Sequence, residues 1–298
     1  MKRKNAILPC LQDRIVLTVN TFVMVLFALL IAYPLAFVIL ASFSKGVNVF
    51  TLNIIPKQWS LEGYKAVFTY KLIWIGYRNS LFYTLAGSAC GILFCILTAY
   101  PLSKSDLDGR GLIMGLFVFT MYFGGGLIPT YLTYRSYGLL DKVWVLLLPS
   151  AVNVYNMIIM RTYFSSQIPS DLREAAFLDG CGEVRYLWSI VLPLSVPIIA
   201  VVGLYYAVGH WNSYFDAMIF LNTKSMKPLS IFLREILILN ESNDITSTMD
   251  PDALASLEDR QNVMKYALIV VSSVPMYILY PFVQKYFIKG IMIGSVKG

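Results

Sequence analysis

Charge is scarce in this chain: Asp, Glu, Lys and Arg make up 14% of its 298 residues, against roughly 25% in an ordinary soluble domain. A single histidine, His210, cannot build a transition-metal cluster with the neighbours the sequence gives it. No G-x-x-x-x-G-K-[ST] loop occurs anywhere. The stretch "FGGGLIPTY" at 123–131 lacks the lysine and the polar helix start that cradle phosphates. The chain is therefore not expected to hydrolyse ATP by itself. Gly124, Gly125 and Gly126 read instead as a break in an apolar segment or a point where helices approach closely. Deep carboxylates are also missing. Asp106, Asp108, Asp141, Asp171, Asp179 and Asp216 fall in loops or near the ends of apolar runs, so neither intramembrane catalysis nor a proton relay is expected.

What is abundant is apolar length. Hydrophobic residues make up 57% of the chain, and runs near 15–41, 79–102, 111–133, 143–164, 187–208 and 264–283 each reach the roughly 20 residues a helix needs to cross a bilayer core. They are apolar on all sides rather than alternating, which predicts helices and not a β-barrel. The first run, "IVLTVNTFVMVLFALLIAYPLAFVILA", has no ionisable side chain after Arg14 and no small-residue cleavage site, so it reads as a retained span and not a secretory signal. Six spans are expected.

Orientation follows weakly from charge. With the N-terminus inside, Lys2, Arg3, Lys4, Arg14, Lys104, Arg110, Arg161, Arg173, Arg185, Lys285, Lys289 and Lys297 face the cytoplasm, twelve of the 24 basic residues. The inner segments are the shorter ones and their charge density decides. Residues 1–14 and 284–298 then form cytoplasmic ends around a six-span region at 15–283. The inner loops are 103–110 and 165–186, and the outer segments are 42–78, 134–142 and 209–263. Cys90 and Cys95 lie in the second span, while Cys10 and Cys181 fall on the cytoplasmic side, so no disulfide is expected.

The inner segment "REAAFLDGCGEVRYLWSIVLPLSVPII" joins a charged short helix to a proline-marked span. Ser170 is placed to accept free amide protons at the helix start, and Asp171 adds negative charge to the first turn. Leu172, Ala175, Ala176 and Asp179 recur at spacings of three and four. A helix of two to three turns is not stable alone and must dock on something. Ala175 and Ala176 leave it slim enough for a groove, Glu174 offers a carboxylate, and Gly180 permits a turn that a Cβ resists. The alternative is an interfacial helix on lipid headgroups. Its narrow apolar face and closely interleaved charges suit a protein groove better.

Arg173, Glu174, Ala175, Ala176, Asp179 and Gly180, with Leu192-Pro193 and Pro197 behind them, resemble the E-A-A-x-x-x-G signature of the membrane subunits of ABC importers. Gly126–Tyr131, "NMIIMRTYF" at 156–164, "AVGHWNSYFDAMIF" at 207–220, "KPLSIFLREILI" at 227–238 and the tail "YPFVQKYFIKGIMIGSVKG" narrow it. Together they resemble carbohydrate importer permeases related to the second permease of the maltose system, in the branch for complex oligosaccharides, over about residues 15 to 298.

That resemblance implies an all-α integral membrane protein of the type I ABC importer permease fold, multi-pass in a bacterial cell membrane with both termini cytoplasmic. It implies a coupling helix at 171–180 between the fourth and fifth spans, seated in a cleft of an ATPase subunit, with Glu174 and Asp179 in polar contacts and a rigid link through 183–199. The implied partners are a second homologous permease, two cytoplasmic ATPases that carry ATP and Mg2+, an extracytoplasmic solute-binding protein, membrane lipids and an oligosaccharide. No cofactor on this chain and no nucleic acid are implied. The end "GIMIGSVKG" is expected to be ordered by the ATPase.

Cavities that hold sugars need a few convergent polar groups in an apolar wall. Asn153, Tyr155 and Asn156 in the fourth span fit that need, as do Tyr205, Tyr206, Trp211 and Asn212 around the fifth. The two asparagines face either a partner helix or a wet path. On the outer side, Leu229, Phe232, Leu233, Ile236 and Leu237 form one apolar stripe behind Pro228, with Arg234 and Glu235 pointing elsewhere. That helix serves as a lid on its own spans or as a receptor contact. Residues 240–262 read as an acidic outer loop with a second short helix near 252–260. Rival classes are a permease for a non-sugar solute, a structural subunit and a secondary transporter, the last of which should show internal repeats that are not seen.

Overall fold

Helices dominate because only an α-helix pairs its own backbone groups where no water can reach. The computed structural model describes residues 11–45, 58–239 and 264–284. The first ten residues, the helix expected near 252–260 and the tail at 285–298 lie outside the described residues. Among those described, an isolated bridge between Ser44 and Trp59 is the extent of β-pairing.

In chain order the helices are α1 (Leu11–Ala41), α2 (Glu62–Thr69), α3 (Lys71–Ser103), α4 (Arg110–Tyr122) and α5 (Leu127–Ser136). They continue with α6 (Trp144–Leu147), α7 (Val154–Gln167), α8 (Ser170–Leu178), α9 (Glu183–Leu194), α10 (Val196–Asn212), α11 (Phe215–Phe220), α12 (Leu229–Leu239) and α13 (Met264–Gln284). Of these, α1, α3 and α13 are unbroken and long and apolar enough to cross a membrane.

The expected span boundaries need correction at three places. The run 111–133 is two helices, α4 and α5, bent by 113° across residues 123–126. Gly126 there sits at φ +83°, a conformation a side chain resists, and no atom lies within 4 Å of where a Cβ on Gly124 or Gly126 would be. The triple glycine is a break, not a packing point. The run 187–208 is likewise α9 and α10, bent by 81° at Ser195 between Pro193 and Pro197. Each proline removes a backbone donor and crowds the preceding turn, and a π-turn at Leu187–Val191 loosens α9 further. The expected rigid link through 183–199 is therefore angled. The run 143–164 is not one helix: α6 and α7 are separated, with Pro149 and Asn153 between them. With 14 residues, α7 spans about 21 Å, short of the bilayer core. Among the described residues, three helices are long and apolar enough to cross a membrane, or five spans if each bent pair crosses as one, against the six expected.

The chain divides into two units, Met1–Thr69 with Asn240–Val271, and Tyr70–Leu239 with Ser272–Gly298. In the first, α1 is apolar and exposed around its circumference, Phe22, Leu29 and Leu30 included, as suits a helix facing lipid. At its end Phe37 meets Tyr266 edge-on at 5.9 Å. Ser42 and Tyr64 share a hydroxyl hydrogen bond of 2.7 Å, and Phe43 lies against Tyr64 at 5.1 Å.

The second unit is built around α3. Its buried face runs Ile73, Gly76, Ser80, Tyr83, Thr84, Gly87, Gly91, Cys95 and Ala99, spacings of three and four that put every one on the same side. Small residues on that face let α10 come close. A methyl on Gly87 would fall 2.3 Å from Nε2 of His210, and one on Gly91 2.5 Å from the Tyr206 ring. One apolar core gathers Cys95, Ala99 and Tyr100 with Met157, Met160, Phe164, Val191 and Val202. A second, toward the N-terminal end of α3, gathers Tyr83, Val145, Leu146, Leu147, Phe220, Leu221 and Ile231.

Candidate functional site

Helix α8 occupies the segment singled out by sequence. Ser170 does not cap it: Pro169, at φ −60° and ψ 140°, holds the capping position, and Ser170 is already helical. Its hydroxyl donates to Asp171 Oδ1 at 3.2 Å instead of accepting backbone amides. Asp171 remains in the first turn, where it complements the helix dipole. At the far end the Cys181 N–H donates to Ala176 O at 2.9 Å and the Gly180 N–H to Phe177 O at 3.0 Å. These two bonds close the helix around a left-handed residue, and Gly180 supplies it at φ +76°.

Ala176 turns inward, 7% exposed in the core with Tyr100, Phe164 and Tyr186. Glu174, Ala175, Asp179 and Gly180 face outward, and Leu178 is 89% exposed. Among the described residues neither Glu174 nor Asp179 forms a salt bridge. A short helix thus sits on its own chain by one alanine and presents two unpaired carboxylates and a bare leucine.

Arg173 fastens it. One guanidinium nitrogen donates to Asp106 Oδ2 at 3.0 Å and the other to Glu183 Oε1 at 2.7 Å. The second Glu183 oxygen accepts from the Tyr100 hydroxyl at 2.6 Å and from the Lys104 ammonium. Lys104 also lies 4.2 Å over the Tyr100 ring, and Arg173 5.3 Å from that of Phe177. The Arg173 hydrogen bonds hold the Asp106 carboxyl below its ordinary range. These side chains are partly exposed, Asp106 59% and Glu183 41%, and solvent screens such pairs strongly. The buried core outweighs that, so the ionic cluster sets orientation more than stability.

Sequence reasoning passed over Tyr100, Lys104, Asp106 and Glu183 as a group. The available signal was that each of the two loop segments carries an acid and a base of opposite charge: Lys104 with Asp106, Arg173 with Glu183.

The residues proposed for a path fall into two places. Asn153 Oδ1 accepts the Asn156 N–H at 3.0 Å and so caps α7. The Asn153 N–H donates to the Tyr206 hydroxyl at 3.1 Å, which donates to Ala151 O at 3.1 Å. Asn156 is buried there, while the Tyr155 and Tyr205 rings, 6.5 Å apart, are exposed. Trp211 lies elsewhere on α10, buried edge-on against Tyr77 at 5.7 Å with its indole N–H donating to Ser272 O at 3.1 Å. Asn212 beside it is exposed. Asn153, Tyr155, Asn156, Tyr205 and Tyr206 thus come together, and Trp211 and Asn212 do not join them.

At the other end of α3, Leu229, Ile231 and Phe232 of α12 are buried while Arg234 and Glu235 face out, the arrangement of a lid packed on its own chain. Asn79 Nδ2 donates to Ser225 O at 2.7 Å and Lys227 O at 3.0 Å, Tyr83 donates to Met226 O at 2.8 Å, and the Leu229 N–H donates to Ser80 Oγ at 2.9 Å. Asp141 secures the neighbouring loop: its carboxylate accepts the Asn222 and Thr223 N–H groups at 2.9 and 2.8 Å and the Thr223 hydroxyl at 2.6 Å. The Thr223 hydroxyl foremost, with the two amides, lowers the Asp141 pKa below the usual carboxylate range. Among the described residues no three metal-ligating side chains converge.

No protein-family model matches the chain. It is 42% identical over 277 residues to the polygalacturonan/rhamnogalacturonan transport system permease protein YtcP of Bacillus subtilis, covering 92% of this chain and 96% of that one. It is 41% identical over 267 residues to protein LplC of the same organism, covering 89% of each. A chain in the crystal structure of a bacterial ABC transporter involved in the import of the acidic polysaccharide alginate superposes with a TM-score of 0.82 at 34% identity. That match covers 94% of this chain and 99% of the other.

Proposed function

The chain belongs to the membrane permease subunits of oligosaccharide and polysaccharide ABC importers, and from that premise we propose how it works inside one. It lines half of a path for an oligosaccharide beside a second, homologous permease, and it receives its driving motion through residues 171–180. Helix α8 seats in a cleft of a cytoplasmic ATPase, where Glu174 and Asp179 meet polar groups, Leu178 meets an apolar one, and Gly180 turns the chain back. Two such ATPases carry the ATP and Mg2+. A solute-binding protein delivers cargo on the opposite side. Six crossings, with α6 and α7 together making the fourth, put both termini in the cytoplasm.

The observation that carries this reading is α8 itself. A helix of nine residues is too short to persist unsupported, yet its carboxylates and Leu178 are left outward. Of the six residues expected in the path, Tyr155 and Tyr205, exposed beside the Asn153–Asn156 cap, are assigned to one stretch of its wall and the exposed Asn212 to another. Asn153, Asn156 and Trp211 hold the wall from behind. Fragments of acidic polysaccharides are the favoured cargo, since alginate and polygalacturonan/rhamnogalacturonan appear among the relatives' names. An ATP-independent secondary transporter is not favoured by those relatives.

The test is cargo-stimulated ATPase activity of the complex purified with this chain in nanodiscs, with its solute-binding protein and a panel of neutral and acidic oligosaccharides. Stimulation by one glycan class, lost in Glu174→Lys and Gly180→Pro while the complex stays assembled, supports the reading. Absence of a co-purifying ATPase, or normal stimulation in both variants, sinks it.

A further inference from the structure

We propose that Glu183 and Arg173 form a latch between α8 and the C-terminal end of α3, and that α3 carries the displacement of α8 to the loop 225–229 at its other end. The source of that displacement rests on the function proposed above; the latch and its route rest on geometry.

The direct route is poor. A push on α8 enters α9, but α9 meets α10 at a bend of 81°, so little of it acts along the α10 axis. The route through Glu183 is direct. Its two oxygens bind Arg173 of α8 at 2.7 Å, Tyr100 in α3 at 2.6 Å, and Lys104 immediately after α3. Arg173 adds Asp106 at 3.0 Å. Behind these polar contacts Ala176, Tyr186 and Leu187 share one core with Tyr100 and Leu102. The end of α3 and the start of α9 therefore move with α8.

Helix α3 has 33 residues and spans about 50 Å. Near its start, Asn79, Ser80 and Tyr83 hold the Ser225, Met226 and Lys227 carbonyls and the Leu229 amide. A Cβ on Gly76 would lie 2.9 Å from Leu229 Cα, so backbone meets backbone with no slack. Two polar fasteners on one rod make a contiguous route, and contiguity becomes evidence of coupling only when perturbing one end alters the other.

Hydrogen exchange of the assembled importer, with and without ATP and vanadate to trap the closed ATPases, reads both ends. In the native complex, trapping should change exchange across 170–178 and at the Leu229 amide. In Glu183→Ala the change at 170–178 should persist while that at Leu229 shrinks by about threefold or more. Lys104→Met, which keeps bulk and leaves Arg173 paired, should give a smaller loss of the same kind and serves if Glu183→Ala fails to assemble. Equal responses at Leu229 in native and variant complexes, or none at Leu229 in the native one, overturn the latch alone. No response at 170–178 in the native complex removes the docking role of α8 and the proposal with it.

Discussion

Arg173 and Glu183 lie ten positions apart and meet at 2.7 Å, so the turn through Gly180 folds α9 back beside α8. The same pair reaches Asp106 and Lys104 in the loop that follows α3. A motif that reads as a single helix is thus one arm of a clamp on the end of α3.

The turn itself should discriminate among side chains. Gly180 sits at φ +76°, where an alanine costs about 1–2 kcal/mol and asparagine less. Gly180→Ala should lower the yield of co-purified ATPase more than Gly180→Asn. Pull-down yields at matched membrane expression measure this, and a reversed order would remove the backbone argument.

Close approach of α3 and α10 should be intolerant of volume. With a Cβ on Gly87 lying 2.3 Å from the His210 ring and no slack in the helix pair, Gly87→Ala should destabilise the folded chain by about 1–3 kcal/mol. Shrinking the neighbour, as in Gly87→Ala with His210→Ala, should restore part of it. Thermal unfolding of the solubilised protein gives both values.

Asn79 is the fastener at the N-terminal end of α3. Its loss removes the donor to the Ser225 and Lys227 carbonyls, at about 0.5–1.5 kcal/mol for each such part-buried hydrogen bond. Asn79→Ala should increase proteolysis within 222–229 while sparing 170–178. Limited proteolysis followed by mass spectrometry maps the sites.

Asp141 gives a pH dependence with a defined sign. Its folded pKa is lowered by the Thr223 hydroxyl and the two amides, so it stabilises the loop above the ordinary carboxylate value of about 3.9. That contribution disappears as pH falls through the lowered value. Asp141→Asn tolerates the φ of 55° and should flatten acid unfolding below about pH 4. A profile identical to the native one would show that the carboxylate is idle.

Much of this was legible in the residues. Length and uniform apolarity of 15–41 and 264–283 marked helices, since backbone in lipid must pair its polar groups in a helix or a closed barrel and a barrel strand would alternate. The triple glycine marked a break, and Gly180 a turn, because both need conformations that a Cβ disfavours. Ser170 misled because a capping residue is defined by its dihedral angles, and Pro169 took that position. The run 143–164 misled because apolarity gives no information on continuity once Pro149 and Asn153 intervene.

The sequence by itself determined the membrane class, the signature at 173–180 and the kinship it announces, all set by local composition and spacing. Tertiary structure alone decided that Tyr100, Lys104 and Asp106 meet Arg173 and Glu183, and that Asn79 grips a loop 146 residues away. Those contacts depend on which helix faces pack together. That choice follows from the small residues of α3 fitting the rings of α10, a three-dimensional fit that no linear spacing records.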